Sequence, residues 1–416
     1  MPGELPEACE VAIVGGGPAG LAAAGALRAA GIGPVVVLER EPAAGGIPRH
    51  CGHFPFGMRE FNRMLRGPDY ARRLVAKAEA SGAAILTDTT VISMSAGPVL
   101  DLSTPDGLRK LKARRVLLCT GVRERSRAAR LIGGTKPGGV MSTGALQGLV
   151  YLEGLRPFDH PVILGTELVS FSALLTCRHM NIRPVAMIEP GSRTTARWPA
   201  PWLPRLMGVP LMLDTELAAI HGTSQVSEVV LRDAAGAERI MAADGVIVTG
   251  QFLPEASLMD RSHLAVDPGS GGPEIDQFGR CSDPDYFAAG NLLRAVETAG
   301  WCWAEGRRAG AALAHSLSGK LPPPQAATRV KTQGDALKYV VPQRIVATGP
   351  SGLAAGYFQL RVARAVSGRL ALRLNGTDIW SSAIRGLPER RIFVPFSALP
   401  PGAEGTVEFS IMEAAP

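Results

Sequence analysis

The stretch from Val11 to Glu39 limits what this chain can fold into more than any other. An apolar run, Val11-Ala12-Ile13-Val14, leads into Gly15-Gly16-Gly17-Pro18-Ala19-Gly20 and then into an Ala- and Leu-rich segment through Ala30. The pattern predicts a strand, a tight turn and a helix. Three of the glycines have separate mechanical roles. Gly15 makes the turn, Gly17 admits a pyrophosphate to the backbone, and Gly20 lets helix and strand pack closely. The phosphates then sit on the helix N-terminus, where unpaired N–H groups and the macrodipole favour negative charge. A second apolar run, Pro34 to Leu38, ends in Glu39, nineteen residues past Gly20, where a ribose-binding carboxylate is expected. A glycine triplet alone is weak evidence. Strand, triplet, helix, strand and acid in register specify a dinucleotide site.

Composition narrows the remainder. With 46% hydrophobic and 19% charged residues over 416 positions, the chain has enough apolar material for two or three cores. Apolar stretches break at Gly, Pro or charge well short of the roughly 18 residues a membrane span requires. The chain begins directly in a strand without a basic region and cleavage site, so a cytoplasmic protein with no integral membrane segment is expected. Net charge is +7, but Arg is scattered and no basic run alternates with aromatics, so no nucleic-acid partner is expected. Cys9, Cys51, Cys119, Cys177, Cys281 and Cys302 stand far apart without any Cys-x-x-Cys, which leaves no ligand set for a metal centre.

The chain divides into four segments. Residues 1–122 hold the first nucleotide unit, closed by the apolar strand Arg115 to Leu118. Residues 123–249 form a second unit with a strand at Pro161-Val162-Ile163-Leu164-Gly165, a helix from Leu168 to His179 and a strand ending at Glu189. Its topology is that of a nucleotide domain, but its glycine fingerprint is degraded. Glu167 stands where a glycine admits the pyrophosphate, adding bulk and a charge whose repulsion of each phosphate charge is about 4 kcal/mol at roughly 4 Å and an effective dielectric near 20. Residues 250–322 return to the first unit through Asp285 to Asn291 and a helix expected over Glu297 to His315. After Leu321-Pro322-Pro323-Pro324, residues 323–416 alternate apolar and polar positions around an Asn375-Gly376 hairpin and predict a small all-β domain.

With these residues placed, roughly the first 320 positions resemble the pyridine-nucleotide-disulfide-oxidoreductase-like flavoproteins. Pro18-Ala19 in the turn and Gly45-Gly46 after the acid resemble the FAD-binding start of that superfamily. Within it the chain is similar to the flavoprotein accompanying anaerobic glycerol-3-phosphate dehydrogenase and to the flavin subunits of opine oxidase and hydrogen cyanide synthase. That likeness rests on Gly45-Gly46 followed by Cys51, Gly67-Pro68-Asp69-Tyr70-Ala71, Gly121-Val122-Arg123-Glu124-Arg125 and Phe287-Ala288-Ala289-Gly290-Asn291. The resemblance implies an α/β fold of two Rossmann-like dinucleotide-binding domains with the small C-terminal all-β domain appended. It implies FAD held through Gly15, Gly17, Pro18, Ala19, Gly20, Glu39, Arg40, Gly46, Arg49, Val91, Thr120, Gly121, Gly290, Asn291, Thr298 and Ala299. It also implies an enzyme that oxidises a small amine, imino acid or hydroxy acid by hydride transfer to the flavin, with a partner oxidoreductase subunit or a second copy of itself. Three departures stand out: the superfamily's cysteine pair is reduced to Cys51, the second fingerprint is degraded, and the β domain replaces a cysteine-bearing extension found in some cousins.

The loop Gly45 to His53 carries the candidate chemistry. Cys51 is either a flavin-facing redox thiol or a small buried side chain. His50 and His53 flank it, and either is placed to take a proton as hydride leaves, or else to brace the loop. Arg49 is a candidate for a substrate carboxylate or the cofactor phosphates. Trp301-Cys302-Trp303 is a candidate wall for an apolar substrate pocket. Two further readings stay open: an NAD(P)H-dependent reductase or peroxidase using Cys51, and an electron-relay or structural subunit whose flavin never meets substrate.

Overall fold

The computed structural model describes residues 5–324, 327–346 and 356–414. Strand β1 (Ala8–Val14) forms where the first apolar run predicts it, and helix α1 (Pro18–Ala29) follows the glycine turn. β1 runs parallel to strand β2 (Val35–Leu38) on one side and to the C-terminal half of Gly107–Leu118 on the other. Strands Ala84–Leu86 and Tyr286–Ala288 complete the parallel layer beyond them. Ile13 lies opposite Val37 and Leu117, and all three are fully buried, as a parallel strand covered on both faces requires. The N-terminal half of Gly107–Leu118 pairs antiparallel with Val99–Thr104, which pairs with Thr90–Ser95, so the meander turns at Pro98 and Asp106-Gly107 as read from the sequence.

The closing helix, Ala299–Leu317, packs against α1 at very short range. A Cβ at Gly306 would lie 2.0 Å from the Ala19 carbonyl oxygen, and one at Gly310 would lie 2.7 Å from that of Ala23. Only glycine permits this approach. The helix begins two residues later than the periodicity predicts, which leaves Glu297 outside it, buried in the preceding turn.

A second parallel sheet runs in the order Leu211–Met212, Ala186–Ile188, Pro161–Leu164, Gly245–Val248, Val140–Ser142. The helices Thr143–Tyr151 and Leu168–His179 pack together on it. Its meander is Thr215–Gly222, Val226–Asp233 and Glu238–Ala242. Two Rossmann-like units of the same design therefore stand in one chain.

The C-terminal residues form a five-stranded and a three-stranded sheet around a core that includes Phe358, Leu360, Leu372 and Phe409. The hairpin at Asn375-Gly376 joins Val366–Leu374 to Thr377–Gly386, with both turn residues at positive φ. Tyr339 and Val341 reach out of this module into the core of the first unit. Among the described residues no helix is long and apolar enough to cross a membrane, and no cluster of metal-ligating side chains occurs.

Candidate active site

The glycine turn has the form its spacing predicts. Gly15 adopts a φ of +108°, and a Cβ there would lie 2.5 Å from the Cys119 carbonyl oxygen. At Gly20 a Cβ would lie 2.1 Å from the Gly15 carbonyl oxygen. Gly17 is different: the nearest atom to its notional Cβ is the Gly46 Cα at 3.9 Å, so space stands open in front of it. Gly17 caps α1, Pro18 opens it, and no side chain satisfies the first-turn amides. Gly46 lies directly against the turn, and the Gly45 amide donates to the Gly16 carbonyl at 2.8 Å. Glu39, 7% exposed, accepts from the Gly16 amide at 2.9 Å and the Glu41 amide at 3.0 Å. Two of its roughly four acceptor positions are left for a ribose. An open cradle, free helix amides and a braced carboxylate fit FAD.

The other expected contacts are more mixed. Gly290, at φ +78°, donates its amide to Glu305 at 2.9 Å, and Glu305 is paired with buried Arg294 at 2.9 Å. Asn291 binds the backbone of Glu297 with both ends of its amide, which ties the segment before Thr298 and Ala299 into a closed turn. Thr298 caps the closing helix through its backbone alone, so its side chain and the first amides are uncommitted. Thr120 donates to the Glu255 carbonyl, and Gly121 accepts from the Glu255 amide, both where the two units cross. Val91 turns its side chain into the core. Arg40 is exposed beside Glu41. Arg49 donates to the Ala43 carbonyl and stands 3.8 Å from Glu41, which braces the loop and leaves other guanidinium N–H groups uncommitted among the described residues.

The loop splits its three chemical candidates. Cys51, 6% exposed, donates to the Ile47 carbonyl at 3.3 Å and to Gln147 at 3.4 Å. Burial, and then the Glu124 charge, push its thiol up to about 12. The raised value favours the neutral thiol, and with it the buried-side-chain reading over the redox one. All six cysteines are free and buried. The His53 Nδ1 donates to the Phe54 carbonyl at 2.9 Å and its ring packs on Phe56. His50 remains at the junction of the two units, held beside Gln147, with its Nδ1 buried and without a partner among the described residues. Burial first, and then the Arg49 charge, lower its pKa from 6.5. Thr143, one helical turn before Gln147 and so on the same face, also has a buried hydroxyl without a partner among the described residues. Gln147 donates to Ser172 at 2.7 Å. The sequence offered no signal for Gln147 or Thr143, since a Gln in an apolar helix carries no motif. Trp301 and Trp303 lie under Arg59, Arg391 and Arg307, and Cys302 sits in the core, so this run packs and does not line an open apolar pocket.

The second unit keeps its first glycine and closes the rest. Gly165 has φ +110°, matching Gly15. Glu167 caps the helix Leu168–His179, and its carboxylate accepts from the Gln251 amide at 2.7 Å. A Cβ at Gly250 would lie 2.4 Å from that carboxylate. Burial raises the Glu167 pKa, while the Gln251 amide and Arg130 lower it in part. Arg130 itself binds the carbonyls of Thr249 and Gly250 at 2.6 and 2.8 Å. Above the turn, the amides of Thr195 and Ala196 bond to Thr166 at 2.9 and 2.8 Å, and Glu189 binds the Thr166 hydroxyl and the Gly191 amide. The Glu167 carboxylate therefore stands in the second unit's glycine turn, bonded to the backbone beside Gly250, and residues 191–196 are tied over Thr166 and Glu189. Glu124, in the motif quoted above, accepts from the amides of Gly144 and Gly250 at 2.8 and 2.9 Å and so staples the crossing.

Comparison with known proteins agrees with this architecture. An opine oxidase subunit from Rhizobium meliloti (strain 1021) is 30% identical over 179 residues, which is 42% of this chain and 38% of the relative. The ferredoxin–NAD(+) reductase component of the biphenyl dioxygenase system of Paraburkholderia xenovorans (strain LB400) is 28% identical over 186 residues, 43% of each. The chain thus matches less than half the length of these relatives. Thioredoxin reductase of T. acidophilum superposes with a TM-score of 0.62 at 20% identity, covering 75% of this chain and all of that one, a likeness of fold. The profile of the pyridine nucleotide-disulphide oxidoreductases matches residues 9–306. The chain belongs to that family of oxidoreductases.

Proposed function

We propose that the chain is an FAD-dependent dehydrogenase that oxidises a small amine, imino acid or hydroxy acid and passes the electrons to a partner subunit or a quinone. The observation that supports this reading is the Glu167 carboxylate on the Gln251 amide, at the second unit's counterpart of the open Gly17 position. FAD, bound along the Gly15–Gly20 turn, supplies a two-electron acceptor. The chain's own groups do the rest. His50, neutral at pH 7 because its pKa is lowered, receives at Nδ1 the proton that leaves the substrate nitrogen or oxygen. Thr143, with a hydroxyl that has no partner among the described residues, orients the substrate's polar end, and Gln147, bonded to Ser172 and Cys51, holds that face of the junction beside His50.

An NAD(P)H-dependent reductase is the second reading, and membership of a family that includes such enzymes favours it. The buried Cys51, with its raised pKa, and the Glu167 carboxylate in the second turn count against it. Dye-linked turnover with a panel of amines, imino acids and hydroxy acids, without NAD(P)H, tests the proposal. Turnover with at least one of them is expected. Turnover that appears only when NADH or NADPH is the donor would replace the first reading with the second.

A further inference from the structure

Beyond its apolar contact through Tyr339 and Val341, the C-terminal β module meets the segment before the closing helix at a buried carboxylate. Glu297, 8% exposed, accepts from Gln359 Nε2 at 2.7 Å and from the Arg391 guanidinium. Gln359 is itself 2% exposed. Gln359 and Phe393 face each other across adjacent strands of the three-stranded sheet, Tyr357–Val362 and Ile392–Pro395, and Arg391 immediately precedes the second. Arg361 adds a bond to the Val296 carbonyl at 3.3 Å. Inside the first unit the Glu297 backbone is gripped by Asn291, through N–H to Oδ1 at 2.6 Å and C=O to Nδ2 at 3.1 Å. Glu297, with Arg361 on the neighbouring Val296 carbonyl, therefore ties the module to the segment that runs from Gly290 to Ala299.

The next turn is clamped from both sides. Trp301 lies between two guanidinium groups, Arg59 at 4.9 Å and Arg391 at 4.8 Å from its ring centre, and its ring stacks on Phe393 at 6.1 Å. On the other side of the turn Gly300 abuts Arg59 and Glu60. None of these groups is required by the module's own core, which closes on Phe358, Leu360 and Phe409.

We propose that the C-terminal β module completes the flavin site, with Gln359 and Arg391 acting as positioning residues that hold Glu297 and so fix Asn291 and the amides of Thr298 and Ala299 toward FAD. The inference rests on the reading that residues 290–299 face the flavin. If Arg391 is lost, Glu297 becomes a buried charge with a single amide partner, and the segment relaxes to rehydrate it. The helix N-terminus then moves away from the flavin, and with it the field that favours negative charge on the reduced ring.

The test uses the full-length holoprotein, with FAD dissociation, flavin midpoint potential and far-UV circular dichroism measured together. Arg391→Ala and Gln359→Ala are expected to weaken FAD binding by about tenfold and to shift the potential to more negative values, with unchanged circular dichroism. Arg391→Lys restores most of the affinity. In the double variant Arg391→Ala/Glu297→Gln the loss is smaller than the sum of the two single losses, because no charge is left unpaired. Arg364→Ala, which breaks the pairs with Glu413 and Asp335 and touches neither Glu297 nor Trp301, leaves both flavin readouts unchanged. Wild-type FAD affinity and potential in both latch variants would overturn the proposal, including the case in which their melting temperature falls. A wild-type protein that binds no FAD would instead defeat the reading on which the proposal rests.

Discussion

Gly17 is the residue at which the cofactor assignment is most exposed to test. Because its Cβ direction is open, a side chain there fits the folded chain and occupies only the space read as the pyrophosphate's. Gly17→Glu is expected to purify folded but colourless, and a yellow Gly17→Glu protein would count against the placement. Cys51 makes the opposite case. A thiol pushed up to about 12 and bonded to Gln147 has no thiolate to offer. Cys51→Ser is expected to keep kcat within about twofold of wild type, and loss of turnover would reinstate a redox role. His50 yields a pH profile. Its lowered pKa means that just below 6.5 the unfolded chain binds a proton the folded chain refuses, so His50 weakens stability as pH falls from 6.5 and has no such effect above it. A neutral His50 is also the form that accepts a proton. Substrate oxidation should therefore be flat across pH 7 and decline on an acid limb whose midpoint lies below 6.5. His50→Gln is expected to be slow and to lack that limb; an unchanged limb in the variant would assign it to another group.

At the scale of elements, α1 and the closing helix are the pair on which the flavin turn depends, because their contact is made by Gly306 against the Ala19 backbone. Gly306→Ala forces a methyl into a space 2.0 Å from a carbonyl oxygen. A loss of roughly 1–3 kcal/mol in denaturant unfolding, together with weaker FAD retention, is expected from such overpacking. Full stability would mean that the helices separate at little cost. Sequence patterns locate these elements well where period and punctuation coincide: β1 to β2, the meander breaks at Pro98 and Asp106-Gly107, and the hairpin at Asn375-Gly376. They err where a side chain serves a distant partner. The pattern puts Glu297 inside a helix, where acids favour the first turn, yet it is held outside by Asn291 and Gln359, the latter 62 residues away. Gln147, Thr143 and Arg294 are invisible for the same reason, since nothing in their local sequence records what they meet across the fold. Arg49 shows the converse: its type suggests a ligand, and the fold also gives it the Ala43 carbonyl and Glu41 to brace.

Over the whole molecule, two Rossmann-like units of the same design have different fates. In the first, the space in front of Gly17 is open and no side chain caps the helix; in the second, Glu167 stands at the matching position with its carboxylate bonded to the Gln251 amide. An open turn in one unit and a carboxylate in the turn of the other separate this chain's proposed chemistry from that of a nicotinamide-fed reductase within the same family. The β module adds a third face to the first site through Glu297. The most direct measurement is anaerobic rapid mixing of the FAD-loaded protein with NADH and NADPH, following the visible flavin band, with a small amine, imino acid and hydroxy acid panel run alongside. The account predicts no bleaching by either nicotinamide at millimolar concentration and bleaching by at least one member of the panel. Fast, saturable bleaching by NADH or NADPH would contradict it.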